Sequence, residues 1–130
     1  MLHTLIIEDE ALVSLMLETH LRLLGFSTFD YAYGEDEAVE MARRRWPDLV
    51  LVDLRLGQGD GLSALRRLEE MGAVAAVFAT ADPLKLPPGM DFPVVRKPIH
   101  DRDLAAAVKR AFAQPGRRGE GQVADQTAPG

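Results

Sequence analysis

The chain predicts an α/β fold: a doubly wound parallel sheet of five strands with helices on both faces. Three observations predict it. Strand-like apolar runs alternate with helix-length segments along the chain. The central run Leu49-Val50-Leu51-Val52 is apolar at every position, as expected of a strand buried on both faces. Four of the runs also end in polar residues of chemical interest. Leu5-Ile6-Ile7 ends in Glu8-Asp9, the central run in Asp53, Ala75-Ala76-Val77-Phe78-Ala79 in Thr80, and Val94-Val95-Arg96 in Lys97-Pro98. The carboxyl ends of parallel strands are where open α/β sheets bind their ligands.

Residues 2–7 read as the first strand. Residues 10–24 read as a helix stopped by Gly25, a residue that tolerates the left-handed conformation after a helix end. Its predicted apolar arc is Leu12, Val13, Met16, Leu17, Leu21 and Leu24, with His20 packed on that side. Leu15 falls outside the arc, among Glu18, Thr19 and Arg22. Residues 26–31 alternate as a strand. Residues 35–46 form a helix with acids in its first turn and arginines in its last, which complements the helix dipole; Pro47 closes it. Arg43-Arg44-Arg45 is read as a solvated face and Trp46 as helix-end packing. Strand 49–52, loop 54–59 and a helix over 60–71 ending at Gly72 follow. Strand 74–79 comes next, then strand 93–96 and a last helix over 101–113 that starts at His100.

Two stretches break the pattern. Between Thr80 and Lys97 stand Pro83, Pro87, Pro88, Gly89 and Pro93. Proline lacks the N–H and clashes with the preceding turn, so this fourth crossover is predicted to hold at most one helical turn. Residues 114–130 are rich in Gly, Pro and small polar residues and are expected to be a disordered tail. The expected organisation is one domain over 1–113 and a tail over 114–130.

Composition narrows the function classes. The 130 residues suffice for one domain, and 47% hydrophobic content is that of a globular chain. No apolar stretch approaches the roughly 20 residues of a membrane span, and no signal peptide is visible, so a cytoplasmic setting is expected. The absence of cysteine excludes disulfides and thiolate metal sites. A net charge of −5 argues against nucleic acid or an anionic membrane as the main partner.

If the strand ends converge, Glu8, Asp9 and Asp53 repel one another, by about 4 kcal/mol for a pair about 4 Å apart at an effective dielectric of 20. A divalent cation removes that cost, and Mg²⁺ suits carboxylates and bridges protein to phosphate oxygens. Transfer of a phosphoryl group to a carboxylate needs positioning and charge neutralisation more than covalent help. Lys97 offers a positive charge, Thr80 a hydroxyl donor, and the loops their backbone N–H groups. Each residue alone has a bland reading: Glu8 and Asp9 as acids capping a helix, Asp53 as a cap, Thr80 in a turn, Lys97 in solvent. The joint pattern favours the phosphoryl site.

The pattern resembles the bacterial response-regulator receiver domain of two-component signalling, over roughly residues 2–113. The resemblance rests on Glu8-Asp9, on Asp53 followed by Gly57 and Asp60-Gly61, on Thr80 after a small-residue strand, and on Lys97-Pro98. It implies a flavodoxin-like sheet of order 2-1-3-4-5 with a short or irregular fourth helix. It implies Asp53 as phosphoacceptor, Glu8, Asp9, Asp53 and the Arg55 backbone carbonyl as Mg²⁺ ligands, Thr80 as the switch hydroxyl, Lys97 as the phosphate-binding lysine, and a cis Lys97-Pro98 peptide. The implied partners are a sensor histidine kinase or a histidine phosphotransfer protein, and an unknown downstream protein contacted directly. Leu15 is a plausible contact on the kinase-docking helix. Such a domain is not an enzyme in the conventional sense, although it assists its own phosphotransfer and dephosphorylation.

Two features depart from the common pattern. Val94 stands where receivers carry a switch aromatic, and the fourth crossover is shortened. With Phe78-Ala79-Thr80 these resemble the subgroup with a Phe-Ala-Thr-Gly-"UY" signature, of which only the first three letters match. That subgroup pairs with kinases of the HWE or HisKA-2 type. The resemblance also places Arg55 and Asp82 at the mouth of the site, where their opposite charges predict a bridge, and segment 82–92 is expected to order on phosphorylation. Two rivals remain. One is a receiver-shaped adaptor that works without phosphate. The other is an Asp-nucleophile phosphatase, which wants an acid where Arg55 stands.

Overall fold

The computed structural model describes residues 2–56, 60–87 and 91–114. Five parallel strands, β1 (Leu2–Ile7), β2 (Phe26–Ala32), β3 (Leu49–Asp53), β4 (Ala76–Thr80) and β5 (Val94–Arg96), lie in the order β2-β1-β3-β4-β5. The helices are α1 (Ala11–Leu23), α2 (Glu35–Arg44), α3 (Gly61–Met71) and α4 (Asp101–Ala113). The doubly wound sheet and its order are those expected. The order reverses at β1, and its neighbour β3 carries Asp53 to the crevice where such sheets bind ligands.

Each face of the sheet carries its own apolar cluster. Alternate strand residues Leu5, Ile7, Val50, Val52, Ala76 and Phe78 pack against α2 and α3 through Ala38, Val39, Leu65 and Leu68. The opposite set, Ile6, Leu49, Leu51, Val77 and Ala79, packs against α1 and α4 through Leu17, Leu21, Leu104 and Ala107. The period of two in β-strands explains why one continuous apolar run serves both layers.

Local chemistry sets the helix ends. Gly25 has φ 101°, which only glycine adopts without strain, and its N–H caps the Arg22 carbonyl. Asp60 caps α3 by accepting from the Ser63 N–H at 2.8 Å. Helix α2 ends at Arg44, earlier than the predicted Trp46, because Arg45 is already extended. Trp46 instead packs across the end of α3, where its indole N–H donates to the Ala73 carbonyl at 3.0 Å. Strand β4 starts later than predicted and takes in Thr80.

The predicted apolar arc of α1 is too wide. Leu12 is 71% and Met16 51% exposed, and the buried stripe is Ser14, Leu17 and Leu21. A helix lying on a flat sheet buries a narrow stripe, so the flanking leucine and methionine stay in solvent. His20 is half-buried and pairs with Asp101, tying α1 to the start of α4.

Among its described residues the fourth crossover contains one 3₁₀ turn, Pro83–Lys85, in agreement with its proline content. The Asp82 side chain caps that turn by accepting from the Leu84 N–H at 3.1 Å. Phe92 is buried edge-on against Phe78, with ring centroids 6.0 Å apart, and Leu86 packs on the same cluster. The predicted tail beyond Gln114, together with Gly57 and Gly89, lies outside the described residues.

Candidate functional site at the strand ends

Strand register brings the predicted residues to one edge. Ile7 pairs with Val52, so Glu8 follows level with Asp53 on the neighbouring strand. Asp53 pairs with Ala79, which puts Thr80 one step beyond it on the other side. Thr80 pairs with Arg96, and the Lys97 N–H donates to the Thr80 carbonyl at 2.8 Å. Carboxylate oxygens of Glu8, Asp9 and Asp53 lie within 4.8 Å of one another. At that separation, two unit charges repel by about 3.5 kcal/mol at an effective dielectric of 20.

Lys97 is the counter-charge. Its Nζ donates to Glu8 Oε1 at 3.0 Å and lies 3.5 Å from Asp53 Oδ2. The Lys97-Pro98 peptide is cis. Glu8 is 1% exposed, and its second oxygen accepts from the Glu10 N–H at 3.2 Å. This is not a helix cap: α1 begins at Ala11, and the residue at its N-cap position, Glu10, makes no side-chain cap. Burial pushes the Glu8 carboxyl above its ordinary 4.5, with Asp53 adding to the rise and Lys97 opposing it. For Lys97, burial works downward, but the hydrogen bond from its ammonium to Glu8 and the two nearby carboxylates hold it above 10.5.

Three carboxylates against one ammonium leave the cluster with two unbalanced negative charges when all are ionised. Two of the acids are held at the strand ends and the exposed Asp9 sits beside them. An all-oxygen, anionic donor set with an open side fits a hard divalent cation such as Mg²⁺ better than a soft or redox metal.

The loop after Asp53 is built around Gly61. A Cβ at this position would lie 2.0 Å from the Asp53 carbonyl oxygen and 2.9 Å from Val52 Cγ2. The Gly61 N–H donates to the Leu54 carbonyl at 3.0 Å, and Arg55 pairs with Asp60 across the loop. The Arg55 N–H also approaches Asp53 Oδ1 at 3.4 Å. The Asp60-Gly61 pair was legible in the sequence, but its use as a close backbone contact behind Asp53 was not.

Thr80 is buried, and its Oγ1 accepts from the Asp82 N–H at 3.1 Å. A hydroxyl that accepts in this way still has its own proton to donate. The predicted bridge between Arg55 and Asp82 does not form among the described residues. Asp82 is engaged as the cap of the 3₁₀ turn, and Arg55 is exposed.

The response regulator receiver domain model matches residues 4–109, a span that includes every one of these strand-end residues. The chain belongs to the response regulator receiver domain family. This receiver domain is 35% identical over 77 residues to the probable transcriptional regulator ycf27 of Porphyridium aerugineum; the match covers 59% of this chain and 32% of that protein. It therefore spans about a third of the curated relative's length. The solved Erythrobacter litoralis PhyR response regulator REC domain is 30% identical, with a TM-score of 0.79, covering 86% of this chain and 90% of that one. PhyR of Bartonella quintana, described as an anti-anti-sigma factor, is 28% identical with a TM-score of 0.76, covering 85% of this chain and 47% of that one. This chain is a response regulator receiver domain of two-component signalling. No helix among the described residues is long and apolar enough to cross a membrane.

Proposed function

We propose that this receiver domain accepts a phosphoryl group on Asp53 from the phosphohistidine of a kinase or phosphotransfer protein, and signals by changing its affinity for a protein partner. The observation that carries the reading is the Lys97 ammonium held between Glu8 and Asp53, with Asp9 completing an acidic triad. A bare salt bridge would not need three acids.

In the proposed step an Asp53 carboxylate oxygen attacks phosphorus. The new O–P bond forms as the N–P bond to the donor imidazole breaks, and the imidazole leaves with the bonding electrons and is protonated. Glu8, Asp9, Asp53 and the Arg55 carbonyl would hold Mg²⁺, which neutralises the oxygens of the transferred group. Lys97 is close enough to Asp53 to exchange part of its contact with Glu8 for a phosphoryl oxygen. Thr80 has a proton to donate to another. Its hydroxyl is tied to the Asp82 N–H, and so to the cap of the 3₁₀ turn, which supports a route from phosphate to the fourth crossover. Val94 packs as a half-buried aliphatic residue, so the aromatic of a threonine–aromatic switch is missing at that position.

The apolar groove of about 120 Å³ lined by Val13, Met16, Leu17, His20, Pro98 and Ile99 borders Lys97 and supports docking of the phosphoryl donor along α1. PhyR supplies a precedent for output through a protein contact, which is the output we propose here.

Acetyl phosphate with Mg²⁺ should add one hydroxylamine-labile phosphoryl group, read by intact mass. Asp53→Asn should abolish the addition and leave the fold intact by circular dichroism. Undiminished labelling of Asp53→Asn would sink the assignment, and absence of labelling in the unsubstituted protein would favour the adaptor reading.

A further inference from the structure

Helix α1 buries one stripe, Ser14, Leu17 and Leu21, on the sheet. Its outer face carries a second stripe: Leu12, Leu15, Met16, Thr19 and Leu23, all exposed, with Leu12 at 71% and Leu23 at 72%. None of the five is charged. Thr19 donates its hydroxyl proton to the Leu15 carbonyl at 3.1 Å, so that group is already used within the helix. Single exposed leucines are ordinary, but a row of four large apolar side chains on one helix face marks a contact surface.

The spacing says what the contact is. Leu12, Met16, Thr19 and Leu23 follow one another at intervals of 4, 3 and 4 residues, the seam of a helix that packs along another helix. That spacing reads the same from either end. A second α1 laid antiparallel across a two-fold axis therefore meets it in register, with Leu12 against Leu23 of the second copy and Met16 against its Thr19. A contact built for an unrelated helix has no such requirement.

Charge supports the same choice. On the flanks of an antiparallel pair Leu15 falls beside Arg22 of the second copy, and Val13 beside its His20, so each cation lies along an aliphatic side chain. Arg22 is neutralised within its own helix by Glu18 at 2.7 Å, and His20 pairs with Asp101. A parallel pair would set the two acidic sites, each with two unbalanced negative charges, side by side at about the 10 Å spacing of packed helices. The antiparallel pair separates them by one helix length, about 20 Å for the 13 residues of α1. That is well beyond the screening length of about 8 Å at physiological salt.

We infer that this chain forms a two-fold dimer through the outer stripes of α1, packed antiparallel. One helix pair is a small interface by the standard of stable complexes, so the dimer is dissociable and concentration sets its population. Met16 also lines the groove beside Lys97, together with His20 and Ile99. A copy in the dimer has the outer edge of that groove covered. The consequence for signalling rests on the donor docking proposed above; the dimer itself does not.

The test is sedimentation equilibrium and amide shifts of the full chain between about 10 μM and about 1 mM, a range that brackets weak association. A monomer–dimer equilibrium should appear, with concentration-dependent shifts centred on residues 12–23 and reaching Ile99. Leu12→Glu and Leu23→Lys both lie at exposed positions, and each places a charge favourable to the helix dipole, so both should fold by circular dichroism. Each alone sets a charge against a leucine in both halves of the dimer and should weaken it at least about tenfold. An equimolar mixture of the two should recover association to within about threefold of the parent. Only the antiparallel register brings the two new charges together and keeps Leu12 on Leu23 at the other end. A protein that stays monomeric to about 1 mM overturns the inference. So do single variants that associate like the parent, a mixture that shows no recovery, or shifts centred elsewhere. Shifts that stop short of Ile99 overturn the covering of the groove. Acetyl phosphate labelling of Asp53 should match the parent in both variants, so loss of the dimer leaves the phosphoacceptor reading standing and the reverse.

Discussion

Replacing Gly61 by alanine adds one methyl group directly behind Asp53. That methyl would meet the Asp53 carbonyl oxygen at 2.0 Å and Val52 Cγ2 at 2.9 Å. Side-chain carbons do not approach other heavy atoms closer than 3.0 Å, so about 1 Å of movement has to be absorbed. The main obstacle is backbone at the end of a central strand, with Val52 fully buried, and it cannot swing aside. Forced overpacking of this kind costs about 3 kcal/mol. Alanine returns roughly 0.5–1 kcal/mol through its helix preference and a less flexible unfolded chain. The expected net loss is about 2 kcal/mol, read as a lower urea midpoint at unchanged slope. The strand end that moves is the one carrying the acceptor carboxylate, and misplacement by about 1 Å can cost on the order of 100-fold in rate. Labelling by acetyl phosphate should therefore slow by at least about tenfold in molecules that remain folded. A Gly61→Ala protein within about 0.5 kcal/mol of the parent, labelled at the parent rate, would refute the argument that this close contact positions Asp53.

Lys97→Met should destabilise the metal-free protein by about 2–4 kcal/mol, because it strands the buried Glu8 carboxylate beside two other acids. The same change should tighten Mg²⁺ binding by calorimetry, since the ammonium no longer competes for the acids; weaker Mg²⁺ binding would contradict this. Glu8 holds its proton more tightly folded than unfolded, so its contribution to stability is full below 4.5 and is lost as pH rises through the raised folded value. Without divalent cations, the stability of the parent relative to Glu8→Gln should fall as pH rises above 4.5 through the raised folded value, and Mg²⁺ should flatten the fall; a flat metal-free difference would show that Glu8 is not strained. Phe92→Ala should cost about 3 kcal/mol, as it removes a buried ring set edge-on against Phe78. A cost under about 1 kcal/mol in thermal or urea unfolding would mean that Phe92 does not anchor the fourth crossover to the sheet.

The strand and helix alternation, the parallel sheet and the identity of the strand-end residues were legible in the chain because they depend on local periodicity and on residue type. Leu49 to Val52 could be placed in a two-sided core without knowing its neighbours. The prolines after Asp82 ruled out a long fourth helix by themselves, since a missing N–H needs no tertiary context. Strand order came from resemblance and not from periodicity, and the structure agrees with it.

What needed three dimensions was everything set by approach distance or by competition for a partner. Residue type placed Lys97 at the site, but only the folded chain shows its ammonium nearer Glu8 than Asp53. Opposite charges predicted a bridge from Arg55 to Asp82, yet in the folded chain Asp82 caps the 3₁₀ turn through the Leu84 N–H and the Arg55 side chain stays exposed. The helical wheel set Leu15 apart but placed Leu12 in the same arc as Leu17 and Leu21. Only packing against the sheet decided that Leu17 and Leu21 are buried while Leu12 faces solvent. Burial and hydrogen bonding depend on atoms far apart in the chain, and a linear pattern records what a residue can do but not which of its possible partners arrives.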